Sequence, residues 1–354
     1  MGLSRIALWN EISGVSIVEP ILITAYQREE ERAWREGLGD SPHGSPWFTS
    51  FHASKFPGDD PYACARAAVY GLMGLPETSP IEPRLRAWFD LGKNLELDWI
   101  RRFAAEGVLL SADQTAGDDF QTGFVDREHW LTGASDAIIL PMFWRKSHCV
   151  EVKTTSHEKV MAMKNDHNET PKLHEKYLRQ IKTYISLSNE SQFCPTVTLC
   201  ESSWAILRPI LPDSPMLWCP IHENFACDQI KITLDAPDDG TLIYSSREEP
   251  LTTVSYYVSL DEEMMAAGRE KLTQYREAFL AGEIPEHPRE KEKAKWSVTP
   301  CQYCEFKALG CKADYTGKVK KLEESNVIAG AKKIRPDYDY AKTRAAVLRR
   351  WGVK

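Results

Sequence analysis

The chain lacks any apolar run approaching the ~18 residues that a membrane-spanning helix needs, so no such helix is expected. Its start, MGLSRIALWNEISG, has no basic patch followed by an apolar stretch, so a secretory signal is not expected there. The Met-Gly opening also lacks the Ser or Thr that myristoylation requires. No G-x-x-x-x-G-K-[ST] loop is present, so any ATP-driven step belongs to a partner. Internal repeats are absent as well. The nine cysteines are odd in number and argue against a secreted disulfide framework. These absences point to an intracellular protein of the cytoplasm, or of a host's cytoplasm if the source is viral.

Net positive charge is also missing. The formal charge of −7 advertises no polyanionic ligand, but it is unevenly placed. From Thr316 to Lys354 eleven Lys/Arg face four Asp/Glu, which leaves the rest of the chain strongly acidic. An acidic body can still bind nucleic acid through a local basic groove, and metal-binding carboxylates add negative charge of their own. The 354 residues, 42% hydrophobic and 27% charged, suffice for one large core or two smaller ones.

Periodicity divides the chain. A helix is expected through EPILITAYQREEERAWREGL, followed by the turn-rich GLGDSPHGSP. A second is expected from Tyr62 to Leu72. A third runs from Pro83 to Glu106, with Leu85, Phe89, Trp99 and Phe103 at helical spacing and Gly107 as the stop. Residues 120–153 read as a strand meander, FQTGFVD, REHWLTGASDAIIL and HCVEVKT. PKLHEKYLRQIKTYISLS reads as a helix with Leu173, Tyr177, Ile181 and Ile185 on one stripe. Strands return over 195–259, and a helix from Asp261 to Ala281 stops at Gly282. The basic stretch 316–354 reads as a disordered arm or a strand-binding segment.

The chemistry gathers around Asp136 in TGASDAII and Glu151-Val152-Lys153 in HCVEVKT. Glu151 and Lys153 are two apart, so on a strand both leave from one face, and a hairpin can bring Asp136 to that face. Two carboxylates supply hard oxygen ligands to Mg²⁺ or Mn²⁺, and the Val152 backbone carbonyl offers another. Such an ion stabilises charge on a phosphodiester and acidifies water, while a neighbouring lysine orients that water. An isolated D…ExK triplet is more often exposed strand charge, so its neighbours decide. Gly92 and Glu96 are four apart on one helix face, as are Gln180 and Tyr184. Glu96 offers a third carboxylate, Gly92 a close approach, and Gln180 and Tyr184 an amide and a phenol.

In that order, Gly92/Glu96, Gly133/Asp136, Glu151/Lys153 and Gln180/Tyr184 resemble the motifs of the RecB-like branch of PD-(D/E)XK nucleases. The resemblance covers about residues 55–315. It leaves 1–54 as an N-terminal extension and 316–354 as the basic tail. Many members of the branch carry His where Glu96 stands. The resemblance implies an α/β fold with a central mixed sheet flanked by helices. It also implies a Mg²⁺- or Mn²⁺-dependent deoxyribonuclease, acting as an exonuclease on single-stranded DNA ends. Asp136, Glu151, Lys153, Gln180 and Tyr184 would be catalytic; Glu96, Asp136, Glu151 and the Val152 carbonyl would hold metal. A helicase or a recombination or CRISPR adaptation complex is the implied partner. Two other readings stay open, a non-catalytic DNA-binding subunit and a zinc-stabilised interaction protein.

Cys301, Cys304 and Cys311 in TPCQYCEFKALGC form a C-x₂-C-x₆-C cluster short of one ligand. Cys64, in DPYACARAAVYGLMGLP, is the best candidate for the fourth. The same four ligands suit a [4Fe–4S] cluster or Zn²⁺. One cysteine before the core and three after it resembles the iron–sulfur members of the branch, the AddB-type subunits and the CRISPR-associated exonucleases. There a [4Fe–4S] cluster clamps the two ends of the domain. Cys149, Cys194, Cys200, Cys219 and Cys227 read as separate buried thiols. His148 and His157 flank the Glu-x-Lys strand as candidate phosphate contacts, though surface or loop histidines are the commoner case.

Overall fold

Apolar residues on both sides of HCVEVKTT place this strand at the centre of a sheet. In the computed structural model β5 (His148–Thr155) is buried through Val152 and lies between β4 (Ala137–Ile139) and β10 (Asp239–Ser246). The sheet order is β11-β10-β5-β4, with β11 spanning Thr253–Ser259. β5 runs parallel to β10, Cys149 beside Gly240 and Thr155 beside Ser246, while β4 and β11 are antiparallel to their neighbours. The mixed sheet expected from the motifs is present. The described residues are 50–61, 63–75, 83–110, 122–141, 145–165, 172–210, 214–286 and 323–353, with Phe306 and Leu309. The helix expected in the first fifty residues and the cysteines Cys301, Cys304 and Cys311 lie outside them.

The meander is split between two sheets. β2 (Thr122–Asp126) and β3 (Leu131–Ser135) pair with the short β1 (Phe51–His52) in a second sheet, ordered β1-β3-β2. The chain changes sheet at Ser135-Asp136, where side chains replace ladder bonds. Ser135 Oγ donates to the carbonyls of Ala137 and Val150 at 2.9 and 3.1 Å, and Asp136 Oδ2 accepts the Val152 amide at 2.8 Å.

Helices cover both faces of the β5 sheet. The apolar stripe of α4 (Lys172–Glu190) puts Ile181 and Ile185 against Ile138, Cys149 and Leu242 in the main core. On the other face, α2 (Pro83–Ala105) packs Leu97 and Ile100 on Val150, Val152 and Ile243. Of the stripe expected on α2, Trp99 and Phe103 pack against this cluster. Phe89, in the N-terminal half of the helix, is 53% exposed. Gly107 ends the helix at φ +66°, and a Cβ there would lie 2.7 Å from that of Ala205. α1 (Ala65–Leu72) and α5 (Glu262–Ala281) match their expected spans within three residues at the ends, α5 capped by Asp261 and by Gly282 in the left-handed region. α3 (His157–Asn165), not expected, follows β5 directly.

Between α4 and β10 lies a small β excursion. β6 (Thr196–Cys200) pairs with β9 (Gln229–Thr233), and β7 (Arg208–Pro209) with β8 (Leu217–Trp218). The basic tail is not a disordered arm over residues 323–353. It forms α6 (Glu324–Ile334) and α7 (Tyr340–Trp351), whose Val327, Ala331, Tyr338 and Val347 enter the main core. Trp351 stacks on Trp130 at 5.9 Å, and Tyr338 donates to the Met73 carbonyl at 2.6 Å. The apolar stripe was hidden by the lysines and arginines on the outer faces of both helices. No helix among the described residues is long and apolar enough to cross a membrane.

Candidate active site

The site lies on the α4 face of β5, beside the break between β3 and β4. Antiparallel pairing of Ala137 with Val150 brings the preceding Asp136 level with Glu151. Asp136 is 4% exposed and Glu151 fully buried. Alternation along β5 sends Glu151 and Lys153 to one side, where the Lys153 ammonium pairs with Glu151 Oε1. Gln180 Nε2, from α4, donates to the same Oε1 at 2.6 Å and lies 2.8 Å from the Tyr184 hydroxyl. Glu151 Oε2 is buried and has no hydrogen-bond partner among the described residues. Glu96 approaches from α2, half-buried, and its charge reaches both Glu151 and Tyr184.

The motif glycines have steric reasons. A Cβ on Gly133 would lie 2.7 Å from the Tyr184 ring and from the Cβ of Ala53, and one on Gly92 would lie 3.0 Å from Thr154 Oγ1. Gly133 thus lets Tyr184 lie against β3, and Gly92 lets α2 settle on β5. An extended residue sends its N–H and C=O to the same strand edge, so the Val152 carbonyl leaves toward Asp136 as its amide does.

Burial, and then the charge of Asp136, push the Glu151 carboxyl well above the ordinary range, although Lys153 pulls the other way. Burial alone would lower Lys153. The carboxylates of Glu151 and Asp136 outweigh it and hold the ammonium above its usual value. Burial, followed by Glu151 and Asp136, raises Tyr184 as well. Two carboxylates and one ammonium leave one negative charge uncompensated, and one acid oxygen is left without a donor. Such a set fits a hard divalent cation.

Each of Glu96, Asp136, Glu151, Val152, Lys153, Gln180 and Tyr184 therefore falls in one region. Tyr177, one turn before Gln180, joins them with its ring 5.4 Å from Lys153 Nζ. Periodicity placed it on the core stripe and gave no sign of the lysine. His148 does not contribute to this site: it is buried in a network with Asp239 at 2.5 Å and Thr241 at 2.7 Å. His157 donates its backbone amide to Glu248 at 2.8 Å.

Of the expected cluster ligands, only Cys64 is described, buried just before α1. The same helix carries Tyr70, whose ring meets Phe306 edge-on at 5.7 Å and whose hydroxyl donates to the Leu309 carbonyl at 3.4 Å. Three of the five cysteines read as separate thiols are not separate. Cys200, Cys219 and Cys227 converge with His222, their ligand atoms all within 4.8 Å of one another. The signal was the run Cys219-x₂-His222-x₄-Cys227, whose fourth member lies on another strand.

No family model and no curated protein matches the chain. Among solved structures it is similar to an alkaline exonuclease from Laribacter hongkongensis, LHK-Exo, with TM-score 0.37 and 10% identity over 71% of this chain and 93% of that one. A structure of LHK-Exo in complex with dAMP gives TM-score 0.39 and 11% identity over 66% and 92%.

Proposed function

We propose that the chain is a Mg²⁺- or Mn²⁺-dependent deoxyribonuclease, most of all an exonuclease on single-stranded ends. The observation that carries this reading is the buried Glu151. One of its oxygens is held by Lys153 and Gln180, the other has no donor, and Asp136 lies beside it. Glu96, Asp136, Glu151 and the Val152 carbonyl would hold the cation. A bound divalent ion would neutralise the carboxylates and stabilise charge developing on a phosphodiester. Lys153 orients the attacking water and donates to the phosphate oxygen as negative charge builds. Gln180 fixes the rotamer of Glu151, and Tyr184 fixes Gln180.

Exposed aromatics support the single-strand preference. Trp88 and Phe89, 58% and 53% exposed, lie one turn before Gly92, and the Arg247 guanidinium sits 4.6 Å over the Trp88 ring. Unpaired bases stack on such a surface at ~1–3 kcal/mol each. The [4Fe–4S] cluster on Cys64, Cys301, Cys304 and Cys311 belongs to the same reading. The contacts of Tyr70 with Phe306 and Leu309 support it, because they draw the helix after Cys64 to the segment between Cys304 and Cys311. Any unwinding would come from a partner helicase within recombination, repair or phage and CRISPR DNA processing.

End-labelled single- and double-stranded DNA, incubated with Mg²⁺ or Mn²⁺, tests the reading. Wild type should shorten the single strand from its ends, and Lys153→Ala should lose on the order of 10²-fold in rate. Absence of cleavage by the wild type with either ion would overturn the enzymatic claim.

A further inference from the structure

Trp204 and Ile206 seat the inner part of the excursion between β6 and β9 on Leu140, Leu199 and Leu234, while its outer part has less to hold it. Its own cluster consists of Cys200, Ala205, Leu207 and Cys219, with Leu217 and Cys227 packed alongside. β7 and β8 are two residues each. An apolar set this small does not usually keep a loop-rich segment ordered without a covalent or metal staple. Half of that set is cysteine.

The four side chains come from three places. Cys200 ends β6, Cys219 follows β8, and Cys227 lies just before β9. His222 sits in a turn closed by the Cys219 amide donating to the Asn224 carbonyl at 2.9 Å. His222 Nδ1 lies 3.4 Å from Cys200 Sγ, 3.6 Å from Cys219 Sγ and 3.2 Å from Cys227 Sγ. A tetrahedral zinc with bonds of about 2.3 Å to sulfur and 2.0–2.1 Å to nitrogen has a sulfur–nitrogen edge of about 3.6 Å. The three distances lie within a few tenths of an ångström of that edge. A ligand shell within 4.8 Å suits a single ion, since a multi-iron cluster holds its thiolates further apart.

We infer that Cys200, Cys219, His222 and Cys227 form a structural Zn²⁺ site that staples the β6–β9 excursion, separate from the carboxylate site and from the Cys64 set. The surroundings are arranged for thiolates. The backbone amide of His222 donates to Cys219 Sγ at 3.4 Å, and the Ser202 and Ser203 hydroxyls lie 3.4 and 3.9 Å from Cys200 and Cys219. The Cys227 thiol donates to Asn224 Oδ1 at 3.1 Å, a contact that would end once the thiol gave up its proton to a metal. Four protein ligands leave no position for water or substrate, which is the pattern of structural zinc. Thiolate with imidazole selects zinc over the hard cation expected at Glu151.

The wild-type chain, purified without added metal, contains its own controls. Cys194 is exposed and Cys149 is buried, while Cys227 is half-buried and open to reagent if nothing holds it. Peptide-resolved alkylation should label Cys194 at once and leave Cys200, Cys219 and Cys227 unlabelled until a zinc chelator is added. Zinc should be released in step with their labelling, at about one per chain. Cys227→Ser should lose that zinc while leaving iron content unchanged, and His222→Cys should retain it. Labelling of Cys227 at the rate of Cys194 before chelation would overturn the inference, as would a disulfide among the three cysteines. These readouts do not depend on nuclease activity, so failure of either proposal leaves the other standing.

Discussion

Glu151 has to ionise where burial and Asp136 both oppose it, and Lys153 compensates only part of the cost. The folded carboxyl keeps its proton to higher pH than the unfolded one. The metal-free fold is therefore favoured below the unfolded value near 4.3 and loses that advantage as pH rises through the folded one. Lys153, held above its ordinary value, keeps its proton across this window and adds no slope. A divalent cation competes with the proton on Glu151. The rise in thermal midpoint given by Mg²⁺ should be larger at about pH 8 than at about pH 5.5, and equal rises by calorimetry would count against Glu151 as a ligand. Tyr184→Phe removes the hydroxyl beside Gln180 but keeps the ring on Gly133. It should cost under about tenfold in cleavage rate, with little change in stability. These residues were legible because spacing converts directly to geometry: two apart on a strand for Glu151 and Lys153, four apart on a helix for Gln180 and Tyr184. Tyr177 over Lys153 and His148 with Asp239 were not, because their partners lie on other elements.

At the scale of elements, close approach decides more than propensity does. Gly268 of α5 lies under the Phe56 ring, and a Cβ there would come within 2.1 Å of Phe56 Cζ. Phe56 is itself buried and cannot swing away. Gly268→Ala should lower unfolding free energy by about 2–3 kcal/mol in denaturant titration, and the double variant with Phe56→Leu should recover part of it. The helix and strand types of the core followed from period and caps, as Asp261 and Gly282 illustrate for α5. The split of the meander into two sheets did not, since it rests on Ser135 and Asp136 substituting for ladder bonds at long range. The Cys200 site was hidden for a related reason: Cys200, at the end of β6, is distant in sequence from the Cys219–Cys227 run that it joins.

At the scale of the whole molecule, and among the described residues, α6 and α7 are seated on the main core. Trp351 covers Trp130, which also meets Phe279 edge-on, and Arg344 donates to the carbonyls of Phe279 and Leu280 at 2.7 Å each. Trp351→Ala, which removes the ring stacked on Trp130, should cost about 1–3 kcal/mol by chemical denaturation. The charge of this segment suggested an arm; its apolar residues, read at helical spacing, are what seat it. The pairing of β5 with β10 has a consequence in time. His148 and Asp239, bonded across that pair, are 91 residues apart in the chain. A parallel partner so distant is found only after a costly loop closure, so this domain should refold slowly, and β5 should wait with one edge bare. Until β10 arrives, that strand is a template for pairing between chains, and aggregation should compete with refolding more strongly as protein concentration rises.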